Sequence, residues 1–171
     1  MRSSATPGVF AALGLSLALA ACGPKAKVPS DADLLATYQA HKPQLQAAVS
    51  DMGRGVDLVS LKGGKVVAEP KGADAVRVAR LGEVLRRTGA RSVAAGETGP
   101  EASPKTAVRF AFLVPDALDS KSIKGLVYDP AANPQDQVRD TDAFARRGEK
   151  ARFVYVERRI DQDWYIYQWL D

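Results

Sequence analysis

The chain has 171 residues, of which 46% are hydrophobic, 26% charged and 7% aromatic, which is apolar material for one compact domain of about 100–150 residues and not for two large ones. Its 24 Lys and Arg against 20 Asp and Glu leave a net charge of +4, too weak and diffuse for a dedicated nucleic-acid binder, which concentrates positive charge on one face. One Cys and one His exclude a disulfide framework and a Cys/His zinc cage.

The first 22 residues read as an export signal. Met1 and Arg2 are followed by the apolar run Val9 to Ala20, a little over half the roughly 20 residues of a membrane-spanning helix. No Arg-Arg pair precedes the run, which favours general secretion over the twin-arginine route. Leu19-Ala20-Ala21-Cys22 then resembles the lipobox of bacterial lipoprotein signal peptides. The resemblance implies cleavage before Cys22, a diacylglycerol on its thiol and often a further acyl chain (palmitate or similar) on its freed amine. Thiol sulfur is the side-chain nucleophile best suited to lipid transfer, and two or three chains hold a protein stably at a membrane.

The expected organisation is a signal peptide over 1–21, a lipidated Cys22 with a tether over 22–30, and a single α+β periplasmic domain over 31–171. The Pro- and Lys-containing tether from Gly23 to Pro29 reaches about 25 Å when extended. Its Lys25 and Lys27 suit anionic head groups. Gly23 is not the Asp that retains enterobacterial lipoproteins in the inner membrane, so the resemblance implies the periplasmic face of the cell outer membrane. Other bacteria read further positions, which leaves the inner membrane open.

Ser30-Asp31-Ala32-Asp33 predicts a helix start, with Ser30 as N-cap and both acids in the first turn. Leu34, Leu35, Tyr38, His41, Leu45, Ala48, Val49 and Met52 continue one apolar stripe. Pro43 falls within it, as either a kink or the first turn of a second helix. Val56–Leu61 and Lys65–Ala68 flank Gly63-Gly64, a hairpin signal. Asp74 caps a second helix with a ragged stripe of Val76, Ala79, Leu81, Val84, Leu85 and Thr88, ended by Gly89.

The remainder reads as strands over 92–95, 105–114 and 122–128, and as a closing hairpin over 151–160 and 164–170 around Asp161-Gln162-Asp163. Polar loops cover 96–104 and 129–150, the second carrying a helical turn near Thr141 to Arg146. A loop of that length in a small domain is commonly functional. Short connections favour antiparallel pairing, so two helices of the N-terminal half should pack on one face of a largely antiparallel, meander-like sheet.

The sequence offers no catalytic constellation and calls for no cofactor or metal. His41 lies on the buried stripe without a nucleophile or second ligand in view. Arg77, Arg80 and Arg87 share a helix face and are candidates for binding an anion such as lipopolysaccharide phosphate, anionic lipid or an acidic partner; a solvated helix face has the same pattern. Arg146-Arg147 and Arg158-Arg159 carry a weaker form of this signal. Trp164, Tyr165, Tyr167 and Trp169 are candidates for sugar or partner contact, although strand alternation splits them between two faces and core packing would look the same.

Lys124-Gly125-Leu126-Val127-Tyr128 together with Asp163-Trp164-Tyr165-Ile166-Tyr167 is similar to small lipoproteins of Gram-negative bacteria. That likeness implies a fold and an address, and carries over no site. Gly125 at a strand centre indicates a bulge or close packing under an aromatic ring. The reading is a lipid-anchored envelope protein that acts by binding, with membrane contact through the anchor, an envelope protein, peptidoglycan or lipopolysaccharide as partner, and no nucleic acid. The alternatives are an enzyme acting on envelope glycans or lipids, and a binder of anionic glycolipid through the helical arginines.

Overall fold

The computed structural model describes residues 28–96, 107–113, 122–147 and 154–170. Cys22 and most of the 96–104 loop lie outside them. The chain forms helix α1 (Asp31–Asp51), strands β1 (Leu58–Lys62) and β2 (Lys65–Glu69), helix α2 (Ala75–Thr88), strands β3 (Ser92–Ala95), β4 (Val108–Leu113) and β5 (Ser122–Tyr128), a short 3-10 turn (Pro134–Asp136), helix α3 (Thr141–Arg146), and strands β6 (Val154–Asp161) and β7 (Trp164–Leu170).

The seven strands form one antiparallel sheet in the order β2-β1-β3-β4-β5-β7-β6. The α+β architecture with α1 and α2 on one face is as the sequence predicts. Two crossings modify the simple meander. The α2 connection returns β3 to the free side of β1, and the connection through α3 places β6 outside β7, which pairs with β5.

Local chemistry sets the element ends. Ser30 and Asp33 form a reciprocal capping box, which satisfies free N–H groups of the first turn. His41 leaves helical geometry at φ −124°, ψ 15°, two residues before Pro43, whose ring cannot donate to the preceding turn. The stripe stays in phase across that kink, so Leu34, Tyr38, Leu45, Ala48 and Met52 are all buried. Gly63 and Gly64 take φ of 55° and 78°, the left-handed pair a two-residue hairpin requires.

Helix α2 is capped by Asp74, which accepts from the Val76 and Arg77 amides, and buries Leu81, Gly82, Leu85 and Thr88. Val76 departs from its expected place on the stripe and is 64% exposed. In that first turn Arg77 and Val78 are the half-buried positions instead.

Strand alternation assigns each sheet residue to a face. Val59, Val93, Phe110, Leu126, Trp164 and Ile166 point toward the helices and form the main core with them. Trp164 sits at its centre, with Tyr38, Phe110 and Tyr128 at ring-centroid distances of 5.2, 6.1 and 5.6 Å. The opposite face has a smaller cluster of Ala107, Val127, Tyr165 and Tyr167, with Ile123, Ala132 and Tyr155 against it.

Gly125 lies on that second face, under the Tyr167 ring and against the Phe110 carbonyl where β4 shifts register. A methyl group there would collide with backbone, whereas one at Gly82 would press on the Val66 side chain, its nearer γ-methyl at 2.6 Å, with no backbone among the nearest atoms. Gly125→Ala is therefore expected to cost more than about 3 kcal/mol or to prevent folding, and Gly82→Ala only about 1 kcal/mol. Urea unfolding of the two variants checks this.

Candidate functional site

Two polar clusters stand on opposite sides of β5. On the helix side, Lys124 is completely buried. Its ammonium lies 2.7 Å from Asp31 Oδ1 and also pairs with Asp142. Asp31 accepts from the Thr141 amide at 3.0 Å and the Thr141 hydroxyl, and Arg158 donates to it at 3.1 Å. The Asp31 amide donates to Asp142 Oδ2 at 2.8 Å.

This clasp ties the first residue of α1 to β5, α3 and β6. Burial alone would raise the Asp31 carboxyl, but hydrogen bonds from Lys124 and Thr141 outweigh it and hold the group below the usual carboxylate range. Asp31, Asp140 and Asp142 bring one oxygen each within 4.8 Å of one another. Lys124 already supplies the cation for two of them, and Asp140 caps α3 through the Ala143 amide at 2.7 Å. The arrangement is a structural ion cluster, not an open metal cage.

Farther along α1, the Tyr38 hydroxyl and Lys42 donate to Asp161 at 2.7 and 2.5 Å, a second tie between this helix and the end of β6. Both bonds, Lys42 first, hold the Asp161 carboxyl well below its ordinary range.

The other cluster lies on the helix-free face and centres on Tyr155. Its hydroxyl donates to Glu157, its ring stacks on Tyr167 at 6.2 Å, and the Arg109 guanidinium lies 5.8 Å from its centroid. Trp169 is its cross-strand neighbour. Arg109 is 5% exposed and donates to the Gly96 carbonyl at 2.8 Å, while Glu157 is 2% exposed.

Among the described residues, three buried polar atoms of this face find no hydrogen-bond partner: Arg109 Nε, Glu157 Oε2 and Trp169 Nε1. Groups of that kind cost about 1–3 kcal/mol each when left unmet, and buried polar atoms are ordinarily paired. Burial pushes the Glu157 carboxyl up to about 7; nearby Asp129 and Asp136 add to the rise, and the Tyr155 hydrogen bond and Arg109 oppose it. The segment that carries those two acids is bound to the edge of β6, with the Val138 amide donating to the Glu157 carbonyl at 2.6 Å.

The residues singled out by sequence fall as follows. Trp164 is in the main core, whereas Tyr165 and Tyr167 are buried on the helix-free face and Trp169 is half-buried there. Arg77 donates to the Arg54 carbonyl at 2.8 Å and approaches Asp74, Arg80 pairs with Asp51 at 2.8 Å, and Arg87 pairs with Glu83 at 2.8 Å. His41 is half-buried at the α1 kink.

Lys124, Asp31, Arg109, Tyr155 and Glu157 were not singled out. Lys124 did carry a signal: a lone charge in step with inward-facing Leu126 and Tyr128. Arg109 and Glu157 alternate with apolar neighbours as solvated residues do, and therefore carried none.

No protein-family model, curated protein or solved structure matches this chain significantly. Among the described residues, no helix is long and apolar enough to cross a membrane.

An acid whose folded-state value is raised stabilises the fold fully only below its unfolded value. Stability should fall as pH rises from about 4.5 to about 7 and then level off, a loss on the order of 3 kcal/mol. Glu157→Gln should remove this slope and be the more stable protein at pH 8. Denaturant unfolding at pH 5 and pH 8 measures both effects.

Proposed function

We propose that this chain is a lipid-anchored cell-envelope protein that works by binding, with the helix-free face of its sheet as the contact surface. The observation that carries the binding reading is the convergence of three unmet polar atoms, on Arg109, Glu157 and Trp169, around Tyr155. A partner reaching between half-buried Tyr155 and Trp169 would supply the missing hydrogen bonds and gain aromatic contact, the combination that marks strong interface positions. The anchoring part rests on Leu19-Ala20-Ala21-Cys22 and on the short run of residues between Cys22 and the Ser30 cap.

The Glu157 carboxyl favours a second reading, an enzyme acting on envelope glycans, because a buried acid titrating near neutrality suits proton donation. That chemistry requires a second carboxylate at the reacting centre. Asp129 and Asp136 are the carboxylates whose charge reaches Glu157. The arginines of α2 support an anion site less well, since Arg77, Arg80 and Arg87 are occupied by protein acceptors.

Two experiments test the proposal. Intact-mass measurement of the native protein should find residues 1–21 removed and Cys22 diacylated. A bare thiol, or Met1 still attached, would refute anchoring. A photo-crosslinking residue in place of exposed Arg159, on the helix-free face, should give envelope adducts, and the same residue in place of exposed Val76, on α2, should give none. Adducts from position 76 alone would move the binding surface to the helices, and adducts from neither would refute it.

A further inference from the structure

The tether and the clasp together define where the domain meets the lipid. From Cys22 to Asp31 the tether reaches about 30 Å at most, and it ends where Asp31 is fixed to Thr141 and Asp142 at the start of α3. Six residues of helix are about 9 Å long, so the whole of α3 stays beside the root of the anchor. Arg139 precedes this helix, Arg146 is its last residue and Arg147 is its C-cap; all three are exposed.

Among the described residues no acid pairs with any of these three arginines, in contrast to Arg77, Arg80, Arg86 and Arg87 of α2. The nearby acids are engaged: Asp142 with Lys124, and Asp140 with the Ala143 amide. Of the α2 arginines, Arg77 and Arg80 lie at the other end of α1, where they meet the Arg54 carbonyl and Asp51, and 21 residues of helix span about 30 Å.

We propose that Arg139, Arg146 and Arg147 form a basic rim that rests on anionic phospholipid headgroups and so fixes how the anchored domain stands on the membrane. The proposal rests on the anchored reading. Guanidinium groups pair with lipid phosphate in a bidentate manner. Each basic residue at an anionic surface contributes about fivefold in partition, and tethering keeps the headgroups at high effective concentration. Lys25 and Lys27 in the tether carry the same sign. Because the clasp is rigid, contact at the rim orients the sheet and not only the tether.

The test uses the mature chain from residue 22 with Cys22→Ser, made without residues 1–21, so that no acyl chain contributes. It is sedimented with vesicles of phosphatidylglycerol and phosphatidylethanolamine, and with vesicles of phosphatidylcholine alone. Binding to the anionic vesicles should exceed binding to the neutral ones and fall steeply with salt. Changing Arg139, Arg146 and Arg147 together to Gln should reduce it on the order of 100-fold. The control pair Arg77→Gln with Arg80→Gln on α2, at the far end of α1, should stay within about twofold. Equal binding to both vesicle types, or an equal loss in the α2 control, would overturn the rim. A bare Cys22 in the native protein would remove the anchor while leaving the vesicle result standing, so the two failures are distinguishable.

Discussion

An ammonium group with no access to water organises this molecule. Lys124 projects from the middle of the sheet into the helix layer, and taking a lysine out of solvent costs several kcal/mol unless its charge is met. Asp31 and Asp142 meet it, Arg158 and the Thr141 amide satisfy the other oxygen of Asp31, and these partners come from α1, α3 and β6. Three connections that the apolar core leaves loose are thereby fixed: the start of α1, the start of α3 and the outer strand β6. The cluster resembles a metal site in its acid content and differs in having its cation built into the chain.

The next residue along β5 faces the other way and sets up the other surface. Gly125 has no side chain, so Tyr167 can lie over it and Tyr155 can stack on Tyr167, while Arg109 reaches the Tyr155 ring from β4, on the far side of β5 and β7. One side of the sheet is closed by helices and a paired ion cluster. The other has an aromatic patch with Arg109, Glu157 and Trp169 short of partners. The functional reading rests on that aromatic patch, because unmet polar groups beside half-buried aromatic rings gain from a partner. The clasp makes the first residue of α1 part of the folded domain.

Much of the fold was legible in the sequence because it follows from local rules. The Ser30 cap, the Gly63-Gly64 turn, the Asp74 cap, the Gly89 stop and the closing hairpin around Asp161-Gln162-Asp163 each depend on a few adjacent residues. Strand order was less legible. The position of β6 outside β7 depends on a connection whose polar composition carries no direction. The functional face was least legible, because Arg109 and Glu157 occupy positions that alternation assigns to solvent. Only the fold brings them together across β4 to β6. Asp31 illustrates the same limit: in sequence it is a first-turn acid suited to the helix dipole, and in the structure it is the buried partner of a lysine 93 positions away.

The most direct test of this account is a double-mutant cycle between Asp31 and Lys124, read by denaturant unfolding. Asp31→Ala alone should cost about 3–5 kcal/mol, because it leaves the buried Lys124 ammonium with Asp142 as its one carboxylate among the described residues and frees Arg158 and Thr141. Adding Lys124→Met should recover part of that loss, since the charge needing a partner is gone. A loss below about 1 kcal/mol, or a double variant no better than the sum of its parts, would show that the clasp does not hold the helix layer to the sheet.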